Sequence, residues 1–112
     1  LFAVVIAALD KAQAGDDLGA ALAQAAERIT MLGQAKPGDK TMLDALIPAS
    51  KAASPQAAAQ AAANGRDATR EMAAKRGRAK YVEGAGVGHV DAGATSIAEI
   101  LAAFAEYSET AP

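Results

Sequence analysis

Between Leu18 and Leu32 the large and small apolar residues Leu18, Leu22, Ala25, Ile29 and Leu32 fall at alternating steps of four and three. Only a helix turns that spacing into one continuous apolar face, since a strand would throw alternate members to opposite sides. Gln24, Glu27 and Arg28 stay off the face. Asp16 and Asp17 supply an N-cap carboxylate ahead of the run, and Gly33 follows it as a C-cap able to turn left-handed. The same period returns near the other end of the chain, at Ile97, Ile100, Leu101 and Phe104, behind Asp91 as a cap.

Further helices fill the remainder. Leu1 to about Gln13 is apolar on nearly every side, as expected of a helix packed against several neighbours. A third helix, capped by Asp39, carries Met42, Leu43, Leu46 and Ile47 on its buried side, and Pro48 predicts a kink or an early end. Ser54 and Pro55 form the N-cap and first position of a fourth, running through alanine-rich sequence to about Arg76 and stopped by Gly77. No strand and no repeat is apparent. The fold class is all-α, with about five helices and short connections that favour antiparallel, up-and-down neighbours.

Packing must be close, because more than half of the 52% hydrophobic residues are alanine and only 4% of the chain is aromatic. A net charge of -2 excludes a strongly basic nucleic-acid footprint. The absence of cysteine fits a reducing, cytoplasmic setting. LFAVVIAAL at 1–9 is far shorter than a membrane span and lacks the basic region of a signal peptide, so a buried helix is expected and no membrane partner.

Two irregular stretches interrupt the helices, GQAKPGD at 33–39 and GRAKYVEGAGVGHVDAG at 77–93. Neither contains a phosphate motif of the familiar kinds: Gly84, Gly86 and Gly88 have the wrong spacing and no preceding strand, and 33–41 lacks a lysine directly after a glycine. His89 is the sole histidine and suits a local hydrogen-bonding role; Asp39 and Asp44 would need a third oxygen ligand to hold magnesium. Arg78 lies just past Gly77 and could grip a phosphate. If both stretches lie at one end of a bundle, backbone N–H groups at the starts of the third and fifth helices face one pocket suited to an anionic or nucleotide ligand.

Gly33, KPGDKTMLDAL at 36–46, KRGRAKY at 75–81 and GHVDAGATS at 88–96 together resemble the conserved blocks of the L domain, the nucleotide-binding subunit or C-terminal domain, of dihydroxyacetone kinases. The order and separation of the blocks match across nearly the whole chain. The resemblance implies a barrel of eight antiparallel amphipathic helices with ADP or ATP and magnesium at one end. Residues 1–112 would be the C-terminal part of that domain, with about five of the eight helices.

By the same resemblance Gly33 lines the nucleotide site, Met42 lies beside the adenine, and Arg78 stands near the nucleotide. Asp91, Ala92 and Gly93 fall on an Asp-Pro-Gly nucleotide contact, with Ala92 in place of the proline and a less rigid turn as a result. The magnesium-binding aspartates and the Gly-Ser turn over the phosphates are expected upstream of Leu1, and without them the chain alone should not catalyse transfer. The implied partner is a K subunit or domain that holds dihydroxyacetone through a histidine; His89 does not match it. The donor is either ATP or an ADP rephosphorylated in place by a phosphotransferase-system protein. A non-catalytic helical interaction module with an exposed apolar face is the alternative.

Overall fold

Side-chain caps set most of the helix starts. The computed structural model of the chain describes residues 1–75, 81 and 83–110. It contains α1 (Phe2–Gln13), α2 (Leu18–Gly33), α3 (Leu43–Ser50), α4 (Pro55–Ala68) and α5 (Ala92–Thr110), with short 3₁₀ turns at Thr69–Glu71 and Glu83–Gly86 and no strand among the described residues. Asp17 Oδ2 accepts the Ala20 N–H at 2.8 Å, Ser54 Oγ accepts the Ala57 N–H at 3.1 Å, and Asp91 Oδ2 accepts the Ala94 N–H at 2.8 Å. Each satisfies one of the donors that a helix start leaves open.

The helices form a row in which each packs on its sequence neighbour, and α3 also touches α5. The core is made by Val5 and Leu9 of α1, Leu22 and Ile29 of α2, Leu43 and Leu46 of α3, and Ile97 and Leu101 of α5. From α4 it receives Ala58 and Ala62, with Ala59 partly buried against it and Gly65 completing the buried stripe at helical spacing. Small residues there let α3 and α4 approach closely. A Cβ at Gly65 would lie 2.1 Å from the Asp44 carbonyl oxygen and 2.9 Å from Ala45 Cα. Pro48, which has no N–H to offer that same carbonyl four residues earlier, leaves it uncommitted within α3. The helix stops at Ser50, the early end that Pro48 predicts.

Several boundaries depart from the sequence reading. Gly33 is the last residue of α2, and the left-handed cap is Gln34, at φ 55°. Asp39 does not cap α3; its carboxylate accepts the Lys36 N–H at 3.2 Å within the loop. The fourth helix ends at Ala68, well before Arg76, because Ala74 N–H pairs with the Ala85 carbonyl and Lys75 N–H with that of Asp39. Cross-chain bonds of that kind leave no local mark. Finally, α1 buries one face, chiefly against α2, while Phe2 and Ile6 remain exposed.

Candidate functional site

Four polar residues among those described are buried, Asp39, Lys40, Asp44 and Thr69, and all four stand where loop 34–42 meets the ends of α4 and α5. Burying such groups costs free energy unless their hydrogen bonds are made. No buried side-chain polar atom among the described residues lacks a partner.

Loop 34–42 is shaped by Asp44. Its Oδ1 accepts the Gly38 N–H at 2.7 Å and its Oδ2 the Thr41 N–H at 3.0 Å, so one carboxylate on the first turn of α3 folds the preceding turn back onto itself. Thr41 Oγ1 in turn accepts the Leu43 N–H at 3.2 Å. Both oxygens of Asp44 are thereby committed to backbone donors. Among the described residues no three Asp, Glu, His or Cys side chains converge where a metal ion could be held. The carboxylates of Asp39 and Asp44 both accept backbone N–H groups of this loop.

The start of α5 is pinned from the other side. Thr69, fully buried at the end of α4, donates from Oγ1 to the Arg66 carbonyl at 2.5 Å and accepts the Asp91 N–H at 2.8 Å. Asp91 then holds its own helix, taking the Ala94 N–H on Oδ2, with the Thr95 N–H and hydroxyl on its carbonyl. Across the gap, a Cβ at Gly93 would lie 3.1 Å from Asp91 Oδ2 and 3.4 Å from both the N and the Cβ of Met42. The starts of α3 and α5 therefore meet, as the two irregular stretches suggest.

Lys40 closes the arrangement. It is 4% exposed, and its Nζ donates to the carbonyls of Met72 at 3.0 Å, Gly86 at 2.6 Å and His89 at 2.5 Å. The exposed side chain of His89 is not what ties its loop down; its main chain does that, through this carbonyl and an N–H bond to Gly86.

Between the end of α2, the loop and the start of α5 lies an open pocket of about 270 Å³. Leu1, Ile29, Ala35 and Met42 give it an apolar side; Gly33, Lys40, Thr41, Asp91 and Gly93 complete it. Four of the residues expected at a nucleotide site, Gly33, Met42, Asp91 and Gly93, are thus brought together from three separate stretches. Ala92 is exposed beside them and does not line the pocket, and Arg78 lies outside the described residues. A Cβ at Gly33 would meet nothing within 4 Å, so the space over that glycine is open to a ligand. The volume sits just below the roughly 300–1,000 Å³ of pockets that enclose whole small molecules, and suits a flat, base-sized part of one. A larger groove of about 470 Å³ runs between α1 and α2, bordered by alanines with Lys11, Gln24 and Arg28, but no loop contributes to it and none of the residues expected at a nucleotide site lines it.

Lys40 and Thr69 escape sequence reasoning. A lysine in a Pro-Gly loop and a threonine in an alanine-rich helix both read as solvated, and the partners that tie them to other elements lie 22 to 49 residues away.

Comparison with known proteins bears on the same residues. The DAK2 domain family model matches residues 1–106. An L-erythrulose kinase of Pectobacterium atrosepticum is 42% identical over 90 residues, covering 70% of this chain and 15% of that protein. An L-erythrulose 1-kinase of Mycolicibacterium smegmatis is 38% identical over 91 residues, 72% of this chain and 16% of the relative. The ADP-binding subunit DhaL of the PEP-dependent dihydroxyacetone kinase of Escherichia coli is 34% identical over 84 residues, 64% of this chain and 40% of the subunit. The chain therefore corresponds to a minor part of each relative's length.

Proposed function

The chain belongs to the DAK2 domain family, and from that membership we propose that it forms one wall of the nucleotide site of a kinase acting on a short ketose. The observation that carries this reading is the convergence of Gly33, Met42, Asp91 and Gly93 on one pocket. These positions are spread over sixty residues of sequence.

In this reading the adenine of ADP or ATP lies against Met42, Ile29 and the open face of Gly33, where flat apolar contact suits a base. The main chain at Asp91 and Gly93 flanks the sugar, and Arg78 is assigned to the nucleotide by the family resemblance alone. With ATP bound, the γ-phosphorus bonds to a terminal hydroxyl oxygen of the ketose as its bond to the β,γ-bridging oxygen breaks; ADP is the leaving group and the hydroxyl proton passes to solvent. Magnesium would be held by residues other than those described, so the part played here is to bind and orient. Transfer of this type rests on positioning and charge neutralisation.

Dihydroxyacetone, held by a K-type subunit or domain, is the substrate that the family resemblance implies. Two of the relatives are named as erythrulose kinases, and erythrulose carries the same hydroxymethyl ketone with one more carbon. The donor is ATP, or ADP recharged in place by a phosphotransferase-system protein.

Calorimetric titration of the intact protein with ADP and magnesium tests the site. Saturable binding is expected; no heat and no thermal shift at millimolar nucleotide would refute it and leave the non-catalytic interaction module. Phosphorylation assays with dihydroxyacetone and erythrulose side by side then identify the ketose.

A further inference from the structure

The lysine of the GDKT stretch lines the proposed nucleotide pocket, and a cation in that place invites assignment to the phosphates. Its bonding says otherwise. A lysine ammonium has three N–H donors and no acceptor, and the Lys40 donors are matched by three carbonyls, those of Met72, Gly86 and His89. A phosphate oxygen could be reached only by surrendering one of them, in a setting where the side chain is 4% exposed.

The three carbonyls are not a random set. Met72 follows the 3₁₀ turn at the end of α4, while Gly86 and His89 precede α5, so one ammonium gathers both ends of the 72–89 segment. The backbone has been bent to allow it. Lys40 itself is left-handed, at φ 63°, a conformation that costs a residue with a Cβ of order 1 kcal/mol or more. Gly86 is also left-handed, at φ 81°, and a Cβ there would come within 3.4 Å of Lys40 Cε and 3.5 Å of Nζ. The glycines of GAGVG, which fit no dinucleotide motif, are explained by their positive φ, at 76°, 81° and 95° for Gly84, Gly86 and Gly88.

We propose that Lys40 is a positioning residue for the nucleotide pocket: it clamps the segment leading into Asp91–Gly93 against the loop bearing Met42, and does not itself bind phosphate. This rests on the nucleotide reading above. Its consequence is specific, because a clamp sets the shape of the base-binding part of the pocket. Loss of Lys40 therefore weakens a ligand with no phosphate as much as one with two.

The test is calorimetric titration of the intact protein, wild type and Lys40→Met, with adenosine and with ADP, at a temperature where circular dichroism shows both proteins folded. The expected result is a loss of affinity of about tenfold or more, equal for the two ligands within a factor of about two. If Lys40→Met weakens ADP and leaves adenosine unchanged, the lysine is a phosphate ligand and the proposal is overturned. If neither affinity changes and only the melting temperature falls, the role is structural and the proposal is equally overturned. Wild-type protein that binds neither ligand refutes the nucleotide reading itself, and the clamp with it. Should Lys40→Met fail to fold, Gly86→Ala strains the positive φ that aims the Gly86 carbonyl at the ammonium while altering no residue that lines the pocket; a smaller loss, again equal for both ligands, is expected, and a loss confined to ADP, or no loss, overturns the proposal.

Discussion

Replacing Gly65 by alanine sets two well-characterised effects against each other. Alanine is the better helix former by about 1 kcal/mol in a helix interior, and Gly65 lies inside α4. On propensity alone the substitution stabilises. The packing predicts the opposite, because the new Cβ would lie 2.1 Å from the Asp44 carbonyl oxygen, 2.9 Å from Ala45 Cα and 3.0 Å from the Asp44 carbonyl carbon. All three are backbone atoms and no rotamer change relieves them. To restore ordinary contact, near 3.2 Å or more for carbon against oxygen, α4 must withdraw from α3 by about 1 Å, loosening Ala58 and Ala62 from the core as well. Overpacking of this kind costs about 1–3 kcal/mol, and a clash with fixed backbone belongs at the upper end. Subtracting the propensity gain leaves a net destabilisation of about 2 kcal/mol. Urea unfolding of the intact protein measures it as a lower midpoint at unchanged slope. A midpoint that rises would show that the α3–α4 contact is looser than described and refute the close-packing account.

Two further substitutions probe the supports of the pocket. Asp44→Asn leaves one oxygen for the two N–H groups of Gly38 and Thr41 and turns an amide toward the other; a loss of about 2 kcal/mol in urea unfolding is expected. Thr69→Val preserves shape but removes the acceptor of the Asp91 N–H. It should cost about 1–2 kcal/mol and speed hydrogen exchange at the Asp91 amide, with exchange at wild-type rate counting against the pin.

Where the sequence reading succeeded, its signals were local. Asp17, the Ser54 and Pro55 pair, and Asp91 each mark a helix start because the capping bond spans three residues. The period of α2 needs no partner to be recognised. Failures gather where distant bonds decide. The end of α4 is fixed by Thr69 reaching Asp91 and by Ala74 and Lys75 pairing with Ala85 and Asp39. Asp39, a plausible cap by type and position, instead closes its own turn. The pocket residues were legible only through family resemblance, since no pattern in composition singles out Gly33 or Met42. Lys40 was legible by neither route: positive φ in a lysine has no sequence signature, and its burial depends on carbonyls up to 49 residues away.

The central claim is that the space over Gly33 is occupied by nucleotide. Gly33→Val fills that space from a position where a Cβ meets nothing within 4 Å, so stability should change by less than about 0.5 kcal/mol. Calorimetric titration of the intact protein with ADP and magnesium, wild type beside Gly33→Val, is the direct measurement. Saturable binding by the wild type, lost or weakened at least tenfold in an equally stable variant, is the result expected. Equal binding by the two proteins, or none by either, would contradict it.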